Sequence, residues 1–154
     1  MSPGIEIVRL APRNLAGLTE FFAEIAAAGE DRLFHPHPFT AEKAAELTEH
    51  RGEDLYYVAT QGDRVLGYAM LRGWDEGYAV PSLGIAIAKS ARGGGLARAV
   101  MLFLHAAARL RGAPSIRLKV YADNLPARKL YESLGYQFEP AGERELLGIL
   151  RFPS

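Results

Sequence analysis

Residues 82–110 read SLGIAIAKSARGGGLARAVMLFLHAAARL, and the order strand, glycine-rich turn, helix in this stretch decides how the chain folds. Residues 83–88 form an apolar run of strand length, broken by Lys89, Ser90 and Ala91. After Arg92-Gly93-Gly94-Gly95, the residues Leu96, Val100, Phe103, Ala107 and Leu110 recur at steps of four and three, which predicts one apolar face of a helix. Three glycines ahead of a helix are locally costly, because each gives up backbone entropy on folding. The compensation is access: with no side chains in the way, the free N–H groups of the first helical turn and the positive end of its dipole make an anion site. Two known phosphate loops do not fit. No Lys-Ser or Lys-Thr follows the glycines, and Arg98 stands where the dinucleotide fingerprint needs its third small residue.

A third pattern, Arg/Gln-x-x-Gly-x-Gly/Ala, is met by Arg92, Gly95 and Ala97. A second segment follows at 116–138. Residues 116–122 alternate as a strand should. Asn124 then suits an N-cap, and Pro126 falls in the first helical turn, where its missing N–H costs little. Ala127, Leu130, Tyr131 and Leu134 form an apolar stripe, and Gly135 suits the C-terminal cap, with Tyr136 available for the contact after it. The run V-Y-A-D-N-L-P-A-R-K-L-Y-E-S-L-G-Y-Q-F is similar to a strand followed by N-x-x-A-x-x-L-Y-x-x-x-G-F/Y. Together the two segments, covering about 81–138, resemble the GNAT superfamily of acyl-CoA-dependent N-acyltransferases, in the family's order and spacing.

Composition agrees with a small soluble enzyme. A chain of 154 residues is expected to form one domain, 1–154, with a core of its own. Lys plus Arg equals Asp plus Glu at 18 each, without the basic excess of a nucleic-acid-binding protein. There is no cysteine, so neither a disulfide nor a thiolate site can form. No secretory signal is evident, and no apolar run approaches the ~20 residues of a membrane helix. A cytoplasmic protein is expected, with no membrane or nucleic-acid partner; a homodimer is compatible with the reading.

In chain order, 6–10 reads as a strand, and Leu15, Leu18, Phe22 and Ile25 mark a helix stopped by Gly29. Residues 29–39 form a proline-containing loop, and Thr40 caps a second helix reaching about His50. Residues 55–60 and 64–73 read as a hairpin turning at 61–63, the second strand covered on both faces. Residues 74–80 lead into the strand of the opening stretch, and 137–140 and 145–152 make a terminal pair. The order β-α-α-β-β-β-α-β-α-β-β predicts an α/β fold with one mixed, mostly antiparallel sheet and helices on both faces. The family's fold has this order too.

The resemblance implies further roles. Acetyl-CoA is the expected acyl donor, and no metal is called for. Backbone groups of Ile85, Ala86, Ile87 and Ala88 would pair with the cofactor's extended arm like an added strand. The N–H groups of Gly93, Gly94, Gly95, Leu96 and Ala97 would hold the pyrophosphate, with charge from Arg92. Asn124 would bond the arm, helix capping being an equal alternative, and Arg128 or Lys129 would reach the 3′-phosphate. Tyr131 occupies the general-acid position: a thiol of pKa ~8.5 leaves more easily if it is protonated as it departs.

The base that accepts the amine's proton stays open. Asp75, Glu76 and Tyr78 could act directly or through a water, and His35 and His37 offer the alternative. The bland reading of His35 and His37 is a turn shaped between prolines; His50 and His105 read as helix-surface residues. Trp74, Tyr78, Phe34 and Phe39 could wall the acceptor pocket or fill the core. The acceptor expected is a small-molecule amine. A protein lysine or N-terminal acetyltransferase and a non-catalytic acyl-CoA sensor are the rivals.

Overall fold

The computed structural model describes residues 4–30, 34 and 36–153. Its elements follow the predicted order: β1 (Ile5–Arg9), α1 (Leu15–Ala27), α2 (Ala41–Thr48), β2 (Leu55–Gln61), β3 (Arg64–Arg72), β4 (Ser82–Ile87), α3 (Leu96–Leu110), β5 (Ser115–Tyr121), α4 (Leu125–Ser133), β6 (Gln137–Pro140) and β7 (Glu145–Arg151). The seven strands form one sheet in the order β1-β2-β3-β4-β5-β7-β6. Every pairing is antiparallel except β4 with β5. Element ends obey local chemistry. The Thr40 side chain accepts a hydrogen bond from the Lys43 N–H, and Asn124 does the same for Ala127, so both predicted N-caps are in place.

Alternation along the strands builds two cores. On one face Leu55, Ala59, Ala69, Leu71, Leu83, Ile116, Leu118 and Val120 pack under α3, with Leu130 and Tyr131 of α4 against them. On the other, Tyr56, Val58, Tyr68 and Met70 pack under Leu18, Phe21, Phe22 and Ile25 of α1 and Leu47 of α2. Among the described residues, β5, β6 and β7 contribute only to the α3/α4 core. The helices α1 and α2 therefore cover just the β1–β4 half of their face.

The buried stripe of α3 differs from the predicted one. Val100, Met101, Leu104, His105 and Ala108 are the residues enclosed, while Phe103 sits at the rim and Leu110 is 89% exposed. Steps of three and four fit two neighbouring stripes of an apolar helix equally well, and packing against both the sheet and α4 selects the one through Met101 and Leu104. Phe103 instead rests edge-on to Tyr57, ring centres 4.9 Å apart. His105, expected on the surface, is buried, its Nε2 2.8 Å from the Tyr136 hydroxyl. Burial without a compensating charge lowers its pKa to about 4.

Candidate active site

The strands β4 and β5 touch at a single register position, Ser82 opposite Arg117, where the Arg117 N–H donates to the Pro81 carbonyl at 3.1 Å. Beyond it they part. On its other side β4 stays paired with β3 from Ser82 to Ile87. The edge of β4 turned toward β5 is thus a strand edge without a neighbouring strand, which an extended molecule can complete with main-chain hydrogen bonds. Into this gap opens a cleft of about 1650 Å³, lined by both strands, the glycine turn and α4.

The turn is built for close approach. Gly93 and Gly95 take φ of +86° and +85°, which side chains rarely adopt, and Gly95 directly precedes α3. No side chain caps the helix, and its first turn carries no acidic residue. A Cβ built on Gly93, Gly94 or Gly95 would meet nothing within 4 Å. Open space over uncapped helix donors fits a diphosphate.

Most of the residues expected to hold the cofactor meet in the cleft: Ile85, Ala86, Ile87, Arg92, Gly93, Gly95, Leu96, Ala97 and Asn124 all line it. Three do not. The Ala88 N–H is spent on the Leu66 carbonyl at 2.8 Å, and Gly94 lies off the lining. Arg128 turns inward: Nη1 donates to the Ala122 carbonyl at 2.8 Å, and its buried Nε has no partner among the described residues. That geometry ties the end of β5 to α4, with Nη2 3.9 Å from the Glu132 carboxylate. Arg92 lines the cleft but is not a free charge. Its Nη2 bridges both Glu30 carboxylate oxygens, at 2.9 and 3.0 Å, and its Nε donates to the Ile87 carbonyl. The same arginine thus fastens the end of α1 to the end of β4.

Tyr131 faces the cleft from α4. Its ring lies 5.8 Å from that of Tyr136, and burial alone pushes its hydroxyl up to about 12, so the phenol keeps its proton at any physiological pH.

The base candidates separate. Glu76 and Tyr78 line the cleft from the loop after β3. Asp75 is committed to that loop: its carboxylate accepts from the Glu53 and Asp54 N–H groups and lies 3.2 Å from His50 Nε2. Asp54 in turn accepts from the Gly73 and Asp75 N–H groups. His37 does not fit the role expected of it. It lies off the cleft lining, packed against Phe22, Phe39 and Tyr68, and both its ring nitrogens are engaged. Nδ1 donates to the Pro38 carbonyl at 2.8 Å, which leaves Nε2 to accept from the Tyr68 hydroxyl at 2.7 Å. Burial holds its pKa below the ordinary histidine value. His35 lies outside the described residues. The aromatic set divides: Phe34 and Tyr78 line the cleft, Phe39 packs on Phe22, and Trp74 lies under the Arg111 guanidinium.

Sequence reasoning missed five cations in the cleft wall: Arg72, Arg98, Arg117, Lys119 and Arg151. Arg98 Nη2 donates to Ser133 at 2.6 Å and ties α3 to α4. The signal for Arg117 and Lys119 was present, since I-R-L-K-V-Y sets both on the strand face opposite the buried Ile116 and Leu118.

An open mixed sheet parted between two parallel strands, with a bare glycine turn at the mouth of a helix, is a site for an extended ligand that carries a diphosphate. A sequence model of the acetyltransferase (GNAT) family matches residues 19–136, and the chain belongs to that family. A mycothiol acetyltransferase of Streptomyces scabiei (strain 87.22) is 30% identical over 125 residues, which are 74% of this chain and 38% of that protein. The chain thus spans well under half the length of that relative. The GNAT domain of S. lividans PAT superposes with a TM-score of 0.81 at 15% identity, covering 96% of this chain and 90% of that one. The PaiA N-acetyltransferase from Thermoplasma acidophilum, in complex with coenzyme A, superposes with a TM-score of 0.80 at 15% identity, covering 97% and 99%. These structures share the fold, and the mixed sheet read from the sequence is the one found. Among the described residues no group of His, Asp and Glu is placed to hold a metal ion, and no helix is long and apolar enough to cross a membrane.

Proposed function

We propose that this chain is an N-acetyltransferase that moves an acetyl group from acetyl-CoA to the primary amine of a small molecule. The observation that carries this reading is the convergence of three features on one cleft: the parted edge of β4, the bare glycine turn, and the Tyr131 hydroxyl. Bound there, the cofactor supplies an acyl thioester open to attack by an amine. The chain's own residues do the rest. The N–H groups of Gly93, Gly95, Leu96 and Ala97 hold the diphosphate, and Ile85, Ala86 and Ile87 align the arm. Asn124 serves first as the cap of α4.

Tyr131 stands at the sulfur end. With its pKa at about 12, handing its proton to a thiolate of pKa ~8.5 is uphill by roughly 5 kcal/mol. Its contribution is therefore a donated hydrogen bond that stabilises the charge building on the departing sulfur, the thiolate taking its proton from solvent after release. Glu76, lining the cleft from the loop after β3, accepts the amine's proton directly or through a water.

Calorimetric titration with CoA, followed by thiol release from acetyl-CoA across a panel of amines, tests the reading. CoA is expected to bind, and Gly95→Val to weaken it tenfold or more, because a β-branched residue at that backbone angle is strained and its side chain fills the cradle. CoA binding without transfer to any amine would make the protein a sensor; specific acetylated lysines in a lysate, with small amines inert, would make it a protein acetyltransferase.

A further inference from the structure

The half of the sheet face that α1 and α2 leave open carries a patterned row of side chains. The register runs Arg72 opposite Ser82, Ser82 opposite Arg117, and Arg117 opposite Ile149. All four line the cleft. Directly opposed residues on neighbouring strands share a face, so two arginines flank one serine hydroxyl, their Cα atoms about 10 Å apart across two strand spacings. Lys119, two residues further along β5, adds a third cation to the same face.

Arg72 is half-buried, and Arg117 and Lys119 are exposed in the wall of the cleft. The Arg72 Nη1 donates to the Pro36 carbonyl at 2.9 Å, a neutral acceptor that fixes the guanidinium in place without cancelling its charge. Among the described residues no carboxylate forms an ion pair with Arg72, Arg117 or Lys119. Glu76 and Glu145 also line the cleft and pair with none of them. Two arginines at register positions on either side of one serine suit a planar oxyanion, which an arginine fork grips through two parallel hydrogen bonds.

The place of the row tells which molecule brings the anion. It marks the closed apex of the parted strands, at the start of β4, whereas the glycine turn follows the end of β4. Five steps of extended chain, about 16 Å, run from Ser82 to the end of β4 at Ile87, and the glycine turn lies beyond that end. The row also lies on the face opposite α3 and α4, the side from which Tyr131 enters. The diphosphate and the row thus belong to different ends and different faces of one cleft.

We infer that Arg72, Ser82 and Arg117 form a carboxylate site for the acceptor, so that the amine acetylated belongs to an amino-acid-like molecule rather than to a neutral or polycationic amine. This rests on the reading of the cleft as an acyl-CoA site. Leu147 and Ile149, half-buried beside Lys119 and Arg117, give the rest of such a molecule an apolar floor. The reaction forms an amide at the amine and releases the thiol, leaving the carboxylate unchanged as a handle.

The test compares the twenty amino acids with their amides, measured as binding to the CoA-loaded protein and as acetyl transfer. At least one acid is expected to bind tenfold or more tightly than its amide. In Arg117→Gln the acid-to-amide ratio of kcat/KM should fall about tenfold, through KM. Equal binding of acids and amides, or binding of none of the twenty, would overturn the inference. So would an Arg117→Gln ratio equal to that of the unaltered chain. If size-exclusion chromatography gave a dimer that Arg117→Glu dissolves while acid and amide stay indistinguishable, the row would be an interface between copies instead. CoA titration in parallel keeps the outcomes apart: loss of CoA binding sinks the acyl-CoA reading, whereas retained CoA binding without acid preference sinks only the carboxylate site.

Discussion

The glycine turn at 93–95 and the loop at 36–39 both promise chemistry in the sequence, and the structure treats them in opposite ways. At the turn, polar groups are left without protein partners: the helix has no side-chain cap, and the space above the glycines is open. At the loop, both ring nitrogens of His37 are used, Nδ1 on a backbone carbonyl and Nε2 on a buried phenol. A reactive residue type becomes a structural one when the fold consumes its donors and acceptors, because leaving them unpaired in a core costs more than pairing them. The open groups of a molecule are the ones to suspect of function.

Tyr131→Phe probes the open side and should have the largest effect. Tyr131 lines the cleft from α4, and burial is the cause of its raised pKa. Loss of a donor at a departing thiol is expected to lower kcat about a hundredfold. CoA affinity, measured by calorimetry, should stay within about twofold, and the melting temperature should scarcely move. An unchanged kcat would remove Tyr131 from the chemistry and blur the contrast between the two regions.

His37→Ala probes the closed side. It strands the buried Tyr68 hydroxyl and opens a gap against Phe22 and Phe39. Chemical denaturation should report a loss of about 3 kcal/mol, with kcat of the folded variant near that of the parent. A hundredfold drop in kcat at unchanged stability would mean that the ring leaves its pocket to act as the base.

The legibility of the chain follows the same division. The order of elements could be read throughout, because each boundary is a local event: the Thr40 and Asn124 caps, the turn at Gly62, and glycine at Gly95 and Gly135 with positive φ. The glycine turn could be read because its function is carried by backbone, which glycine spacing announces. What could not be read depends on partners far along the chain. Arg92 looks like a free cation until Glu30, 62 residues away, bridges it. His37 looks like a base until Tyr68, 31 residues away, meets it. The row at Arg72, Ser82 and Arg117 exists only in the register of three strands.

His105 extends the closed class to the second core and yields the smallest effect. It is 8% exposed on α3 and hydrogen-bonded to the Tyr136 hydroxyl. Its folded pKa of about 4 lies below the ordinary 6.5, so the folded state prefers it neutral. Above pH 6.5 both folded and unfolded chains hold it unprotonated, and the preference has no effect. As pH falls below 6.5 the unfolded chain takes up a proton that the native chain refuses, and stability declines until the native group titrates near pH 4. Between pH 7 and 5.5 this amounts to about 1 kcal/mol. Other groups add to the pH dependence, among them His37 with its lowered pKa, so the measurement is a difference: urea unfolding of the parent and of His105→Gln, which can still bond the Tyr136 hydroxyl, at both pH values. The parent should lose about 1 kcal/mol more than the variant. Equal losses would show that His105 accepts a proton as readily inside the fold as outside it, and that a histidine enclosed on α3 can remain chemically open.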